Sequence, residues 1–225
     1  MLFQKTQLSI YLSKTVEVGY THYGPTLALS GNLSARHKVA LVHDMTVELK
    51  RQSGAGRRQF GWLAFRPHTF KVGSSLGIDL KMASRFMVSP AEAYHFNILF
   101  SDHDSYARMN AVINLIKNEW NTLAAFHRGK NPQANLSDLF PEFLQKPHIA
   151  QANEQLQTVS IWEPGEYAMT VHVITENPQQ VFTSSQKFAL SKPDVETLRT
   201  NVPAILADIC GRTAVEYKFV TAALL

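Results

Sequence analysis

The sequence has little of several features that commonly reveal what a protein does. Its one cysteine among 225 residues, Cys210, has no partner for an intrachain disulfide, which predicts a reducing compartment. No apolar run approaches the roughly 18 residues that a membrane-spanning helix needs. The first residues also lack the basic and apolar regions of a signal peptide. We therefore expect a cytoplasmic protein with no transmembrane segment.

Recognisable catalytic and cofactor motifs are missing as well. The sequence contains no Gly-x-Ser-x-Gly elbow, phosphate loop, dinucleotide fingerprint or Cys-x-x-Cys pair. We therefore predict no cofactor, and a function other than catalysis is favoured. Hydrophobic residues make up 45% of the chain and charged residues 18%, a balance typical of an ordinary globular domain rather than a disordered chain.

Alternating apolar and polar residues dominate the first hundred positions and are typical of half-buried strands. The clearest run covers residues 38–51 and places His43 on an otherwise apolar face. We expect His43 to be a buried, hydrogen-bonded residue of the core. The glycines within residues 52–56 predict a hairpin turn, and a return strand follows over residues 58–65.

The pattern changes to a helical period after Ser101. Apolar residues recur every three or four positions, which predicts an amphipathic helix of roughly 22 residues from Asp104, with Gly129 among its ending signals. An irregular, proline-containing stretch follows. A second helical segment is expected from Ser191 to Gly211, before the last strand. Further strands are predicted over residues 77–83, 86–88, 93–101, 157–162, 166–174, 181–190 and 215–223.

These elements predict a mainly β fold. We expect an antiparallel β-sandwich with one long inserted amphipathic helix and a C-terminal helical segment before the last strand. The simplest organisation is a single domain over residues 1–225 with a helical insertion at about 102–153. The alternative is a domain boundary within residues 130–155, where the irregular stretch lies.

The pattern over residues 24–100 resembles the opening of an arrestin-type sandwich half. An extended strand through residues 29–33 is followed by a long strand over residues 42–51 and a hairpin return. The later run Val88-Ser89-Pro90, leading into residues 94–98, is similar to the proline-led strand of that family. An immunoglobulin-like sandwich has similar alternation. The resemblance implies an adaptor or scaffold that binds proteins, and it assigns no functional residue.

The first candidate site is the basic hairpin over residues 50–66. Residues 36–71 have a net charge of +6, whereas residues 151–225 have a net charge of −3. Cations beside aromatic residues can bind an anionic ligand, nucleic acid or a lipid surface. The simpler interpretation is a solvated hairpin tip. The candidate binding residues are Lys50, Arg51, Arg57, Arg58 and Trp62.

The second candidate is the acidic and histidine-containing stretch Ser101-Asp102-His103-Asp104. Two carboxylates and an imidazole at this spacing could hold a catalytic metal, which would make the protein a metal-dependent hydrolase. The same residues at a helix start are explained by capping, because Ser and Asp accept the unpaired N–H groups there. Ser101 and Asp104 have the spacing of a capping box. We favour capping and predict no metal site.

The favoured function is therefore a non-enzymatic protein-binding or scaffold domain that assembles with itself or with other proteins. The first alternative is the metal-dependent hydrolase that uses Asp102, His103 and Asp104. The second alternative is nucleic-acid binding through residues 50–66, with an anionic ligand as the related possibility.

Overall fold

A computed structural model describes residues 6–54, 56–66, 81–133, 135–176, 179–211 and 215–225. Of these residues, 45% are in strands and 33% in helices, which confirms the mainly β prediction. The strands are β1 (Gln7–Thr21), β2 (Gly24–Arg36), β3 (Ala40–Arg51), β4 (Arg57–Phe65), β5 (Lys81–Met82), β6 (Phe86–Val88), β7 (Tyr94–Asp102), β8 (Gly165–Glu176), β9 (Gln180–Leu190) and β10 (Val220–Ala223). The helices are α1 (His103–Lys130), α2 (Phe140–Leu144), α3 (Pro147–Val159), α4 (Lys192–Arg199) and α5 (Val202–Ile209), with a 3-10 helix over Leu136–Leu139.

The described strands form one antiparallel sheet in the order β10-β1-β2-β7-β4-β3-β8-β9, with β5 and β6 added to β4 and β3. The sheet rolls until its two ends nearly meet, and the backbone N–H of Leu225 donates to the carbonyl of Lys187 in β9 at 2.8 Å. Antiparallel pairing agrees with the expectation from the sequence. The predicted division into two facing sheets is not seen, because hydrogen bonding connects all these strands into one sheet.

The core lies inside the rolled sheet. Strand β8 shows the alternation most clearly, with Tyr167, Met169, Val171 and Val173 buried and the residues between them partly exposed. This period of two places every second side chain inside. The apolar interior extends without a break into the helices, because the buried residues of sheet and helices form one hydrophobic cluster.

Trp162 joins the interior of the sheet to the chain that follows α3. Its fully buried ring stacks on Phe60 with centroids 6.0 Å apart and meets Tyr167 edge-on at 5.9 Å. Its indole N–H donates to the carbonyl of Gly19 in β1 at 2.8 Å. The hydroxyl of Tyr20 donates to the carbonyl of Leu156 in α3, a second hydrogen bond between sheet and helix. These contacts attach the helical layer to β1.

Helix α1 is longer than the sequence predicted. It spans 28 residues and passes through Gly129, ending at the cap residue Asn131, whose N–H donates to the carbonyl of His127 at 2.8 Å. The ending predicted from residues 128–130 is confirmed, because the helix stops at Lys130 with His127, Arg128 and Lys130 in its last turn. Gly129 itself keeps a helical backbone, whereas Gly211 has the positive φ of 70° that is common just after a helix. On its buried side α1 packs Met109, Ile116 and Trp120 into the core.

The region after α1 is helical rather than irregular. The predicted strand over residues 157–162 is wrong, because its first three residues complete the 13-residue helix α3. Pro147 lies in the first turn of that helix, where a missing N–H costs no hydrogen bond. The predicted last strand is also too long, since β10 covers only Val220–Ala223. Of the strand predicted over residues 77–83, residues 77–80 lie outside the described residues.

His43 is exposed, which corrects the prediction of a buried core histidine. The register of β3 against β8 shifts between Val42 and Asp44, so a β-bulge lies at His43. An extra residue in one strand reverses the alternation on either side of it. Ala40 and Val42 therefore point inward before the bulge, and Met45 points inward after it.

Helix α4 begins as the sequence indicates. The Ser191 side chain accepts from the backbone N–H of Asp194, and the Asp194 carboxylate accepts in turn from the Ser191 backbone, which completes a capping box. Pro203 lies in the first turn of α5. None of the helices within the described residues has the length and apolar character required to cross a membrane.

We predict that Trp162→Ala lowers the free energy of unfolding by about 3–5 kcal/mol, because it leaves a cavity and an unpaired Gly19 carbonyl. Trp162→Phe retains ring packing and should cost about 1–2 kcal/mol, mainly through the lost hydrogen bond. Urea unfolding followed by circular dichroism measures both changes. Equal stability of Trp162→Ala and the unaltered protein would contradict this account of the core.

Candidate functional site

The four cations of the basic hairpin are divided between the two faces of the sheet. Lys50 lies opposite Arg57 in the β3–β4 register, and Arg58 lies opposite the buried Leu49. Neighbouring strand residues point to opposite faces. Lys50 and Arg57 therefore lie together on the outer face, whereas Arg58 and Arg51 line a small cavity on the Leu49 side. Arg58 also lines the outer-face hollow that Arg57 borders, so its guanidinium lies between the two groups.

Three of these four cations have an acidic partner. A cation that already contacts a carboxylate has less charge to offer an anionic ligand, since a new contact must replace the old one. Within the described chain, Lys50 alone of the four makes no ion pair. The pairs are Arg51 with Glu163, Arg57 with Glu48 at 3.3 Å, and Arg58 with Asp102 at 3.2 Å.

Trp62 lies away from these cations in an aromatic cluster. Its ring meets Phe65 with centroids 6.0 Å apart and Phe86 at 6.1 Å, and it is only partly exposed. Phe86 stacks in turn on Tyr94 at 4.2 Å. Trp62 therefore packs β4 against β6 and does not form a stacking surface with the hairpin cations.

Asp102 is the N-cap of α1. Its side chain, 3% exposed, accepts from the backbone N–H groups of Asp104 and Ser105 at 3.1 and 3.2 Å. It also accepts from the Ser105 hydroxyl at 2.8 Å and from Arg58. Ser101 lies in β7, so the expected capping box with Ser101 is wrong by one residue. Capping accounts for the two backbone contacts of the Asp102 carboxylate, and the Ser105 hydroxyl and Arg58 are its other partners.

Within the part of the chain that the structure describes, no three His, Cys, Asp or Glu side chains are grouped so that they could hold a metal ion. His172 and Asp104 line the same outer-face hollow of about 500 Å³, together with Glu48. No hydrogen bond between described residues joins His172 to either carboxylate. The outer face therefore offers polar groups without the mutual geometry of a catalytic centre.

We predict that Asp102→Ala lowers the free energy of unfolding by about 2 kcal/mol through loss of the cap. The matched control, Asp104→Ala, removes the exposed carboxylate two residues later and should cost about 0.5 kcal/mol or less. Urea unfolding measures both, and metal analysis of the purified variants tests the hydrolase alternative. Bound metal that disappears in Asp104→Ala or His103→Ala would contradict a purely capping role.

A polar cluster that the sequence did not predict lies beside the first half of α1. Asp208 in α5 places one carboxylate oxygen 2.6 Å from Nδ1 of His22 and accepts from the Tyr217 hydroxyl at 2.6 Å. His22 lies in the β1–β2 turn, where its ring meets that of Tyr23 with centroids 3.8 Å apart. These residues are distant in sequence and share no motif, so no local sequence pattern predicted that they would meet.

The cluster also changes the chemistry of its tyrosines. Burial raises the pKa of Tyr217 well above its ordinary value, and the hydrogen bond to Asp208 raises the pKa further. Burial is likewise the main cause of the raised pKa of Tyr23, with Tyr106 and Asp208 adding to it. Both tyrosines therefore stay protonated at neutral pH, and Tyr217 acts as a donor to Asp208.

We predict that this cluster makes stability fall in alkali. Because folding raises the pKa of Tyr217, its contribution is fully present below the ordinary pKa of 10.0 and is lost as the pH rises above it. The slope from one such group approaches about 1.4 kcal/mol per pH unit. Urea unfolding between pH 9 and 11 should give a shallower slope for Tyr217→Phe, and identical slopes would contradict the assignment.

A groove runs along α1 and is here called the helix groove. It consists of a hollow of about 240 Å³ beside His22 and one of about 630 Å³ beside the 3-10 helix. The two hollows meet at Lys117 and Ile209, which line both. The α1 residues along it are Tyr106, Asn110, Ile113, Lys117, Asn121, Ala124 and Arg128.

The cations of the helix groove differ from most of those at the hairpin in having no acidic partner among the described residues. Lys117 and Arg128 are both exposed, and neither makes an ion pair or a side-chain hydrogen bond with another described residue. Between them, Asn121 from α1 and Ser137 from the 3-10 helix add polar groups. Trp120 and Ala124 also line the groove but are only 6% and 7% exposed, whereas Leu136 and Ile209 are partly exposed. The groove thus combines a small apolar area with two available cations.

The His22–Asp208 pair has one feature of a catalytic dyad, because a carboxylate on Nδ1 orients the imidazole. A covalent mechanism also needs a nucleophile near the ring. The described residues that line this end of the groove include no Ser, Thr or Cys. Together with Tyr217, the pair joins the β1–β2 turn, α5 and the segment before β10, and so holds these three segments together at the groove.

Comparison with known proteins assigns no family: no family model matches the chain, and no curated protein or solved structure matches it. The resemblance of residues 24–100 to an arrestin-like sandwich therefore stays a prediction. Functional inference rests on the geometry of the chain itself.

Proposed function

We propose that this chain is a non-enzymatic protein-binding domain and that the helix groove is its binding surface. The observation that carries the proposal is a concave surface with two exposed cations, Lys117 and Arg128, that have no ion-pair partners among the described residues and lie near the partly exposed Leu136. Apolar contact supplies affinity, and polar groups around it supply specificity. A rigid helix that is also part of the core holds these groups in place. The protein is an adaptor or scaffold in this proposal, as the arrestin-like resemblance would imply.

The hairpin supports a binding function less well than the groove. Arg51, Arg57 and Arg58 already contact carboxylates. Nucleic-acid binding through residues 50–66 would require several cations on one surface, because each phosphate contact adds a small increment. The hydrolase alternative is disfavoured for a different reason, since Asp102 uses its carboxylate to cap α1.

The proposal can be tested by selecting peptides from a random twelve-residue display library on the full chain. We expect the selected pool to bind in the helix groove. Asn121→Trp fills the groove with an indole and should weaken binding of that pool by about tenfold or more, which corresponds to roughly 1.4 kcal/mol. Binding is measured by fluorescence anisotropy of the enriched peptides.

The matched control is Asn118→Trp. Asn118 has the same side chain, lies on the same helix and is exposed, yet it does not line the groove. We expect Asn118→Trp to retain binding. A pool that binds both variants as tightly as the unaltered protein would overturn the groove as the binding surface. A pool lost only in Lys50→Glu combined with Arg57→Glu would favour the hairpin instead.

A further inference from the structure

The spacing and charge of the helix groove restrict what can occupy it. Lys117 and Arg128 are on the same side of α1, and a helix rises about 1.5 Å per residue, which places their Cα atoms about 16 Å apart along the axis. Their side chains extend into the same hollow from opposite ends. A ligand that meets both cations must therefore be elongated and must have two separated anionic groups.

The space between the two cations suits a polypeptide. Asn121 and Ser137 provide amide and hydroxyl groups that can pair with a backbone, since both can donate and accept hydrogen bonds. Ala124 leaves room on the helix surface, and Leu136 forms an apolar wall. An extended chain places alternate side chains on opposite sides, so it can direct every second side chain toward the groove and its backbone toward the polar residues.

From these observations we infer that the occupant is an extended acidic segment of a partner protein, with two carboxylates four or six residues apart, each facing one of the two cations. An extended chain advances about 3.3 Å per residue, so four residues cover about 13 Å and six about 20 Å, on either side of the distance between Lys117 and Arg128, and an even spacing keeps both carboxylates on the side that faces the groove. This inference rests on the proposed function and adds the chemistry of the partner to it.

A nucleic acid fits the same groove less well. A single strand offers closely spaced phosphates, and proteins bind it with rows of cations and with aromatic rings that stack on bases. The groove has two widely separated cations, and the ring of Trp120 is buried in the core with only 6% exposure. Stacking on it would require α1 to leave the sheet.

The test uses the twelve-residue library on the unaltered full chain and on two charge-reversed variants, with Asn121→Trp as a fourth version. On the unaltered protein we expect enrichment of peptides with two Asp or Glu residues four or six positions apart. Lys117→Glu combined with Arg128→Glu should weaken binding of that pool by about tenfold or more and should select peptides rich in Lys and Arg instead. The control, Lys50→Glu combined with Arg57→Glu, makes the same change in net charge and should retain binding.

Each outcome has a separate meaning. Peptides that lose binding in Asn121→Trp but show no acidic enrichment would overturn the acidic partner and leave the groove as a binding surface. Peptides indifferent to Asn121→Trp would overturn the proposed function itself. A twelve-nucleotide thymidine oligomer serves as a third probe. Salt-sensitive binding of this oligomer, stronger than that of the peptides and lost with Lys117→Glu and Arg128→Glu, would replace the acidic segment with a nucleic acid.

Discussion

The structure depends on covering the apolar interior of a strongly rolled sheet. Alternating strands place bulky side chains inside, and a sheet that nearly closes still leaves its end open to water. The helical layer covers that opening and belongs to the same hydrophobic cluster. Two buried hydrogen bonds, from Trp162 to Gly19 and from Tyr20 to Leu156, satisfy polar groups where the helices meet β1. Without the helices the sheet would expose its core.

This constraint explains why one side of α1 is buried and another is exposed and available for binding. Met109, Ile116 and Trp120 are buried against the sheet and neighbouring helices, so the helix cannot rotate. Its remaining sides are displayed in one orientation. The Asp102 cap at its start and the Asp208 cluster beside its first half hold the surrounding segments in place. A groove on a rigid helix binds without a large entropic cost of ordering, which suits a recognition surface.

The sequence predicted the elements whose signals are local. Alternation located the strands on both sides of the hairpin turn, and the spacing of apolar residues located α1. The alternation pattern gave a wrong prediction where one residue alters the local geometry, as at the bulge that exposes His43. It also failed for α3, whose polar composition and preceding prolines resemble a loop. Two-sheet packing could not be distinguished from one rolled sheet, because both produce the same alternation.

The sites were harder to predict than the strands, for a physical reason. The basic residues of the hairpin were visible in the sequence, but the carboxylates that neutralise them come from distant positions such as Glu163 and Asp102. The His22–Asp208–Tyr217 cluster joins three segments that only the folded chain brings together. The Lys117 and Arg128 pair is part of a helical stripe that the apolar pattern did not emphasise. Only long-range contacts determine which charges remain available.

The most direct test of the binding surface is to map it without mutation. Backbone amide chemical shifts of the isotopically labelled full chain are recorded while an enriched acidic peptide is added. The account predicts shifts concentrated on α1 between Ile113 and Arg128 and on the 3-10 helix, with little change at the hairpin around Lys50. Shifts confined to the hairpin, or to the outer face of β8 and β9, would contradict it.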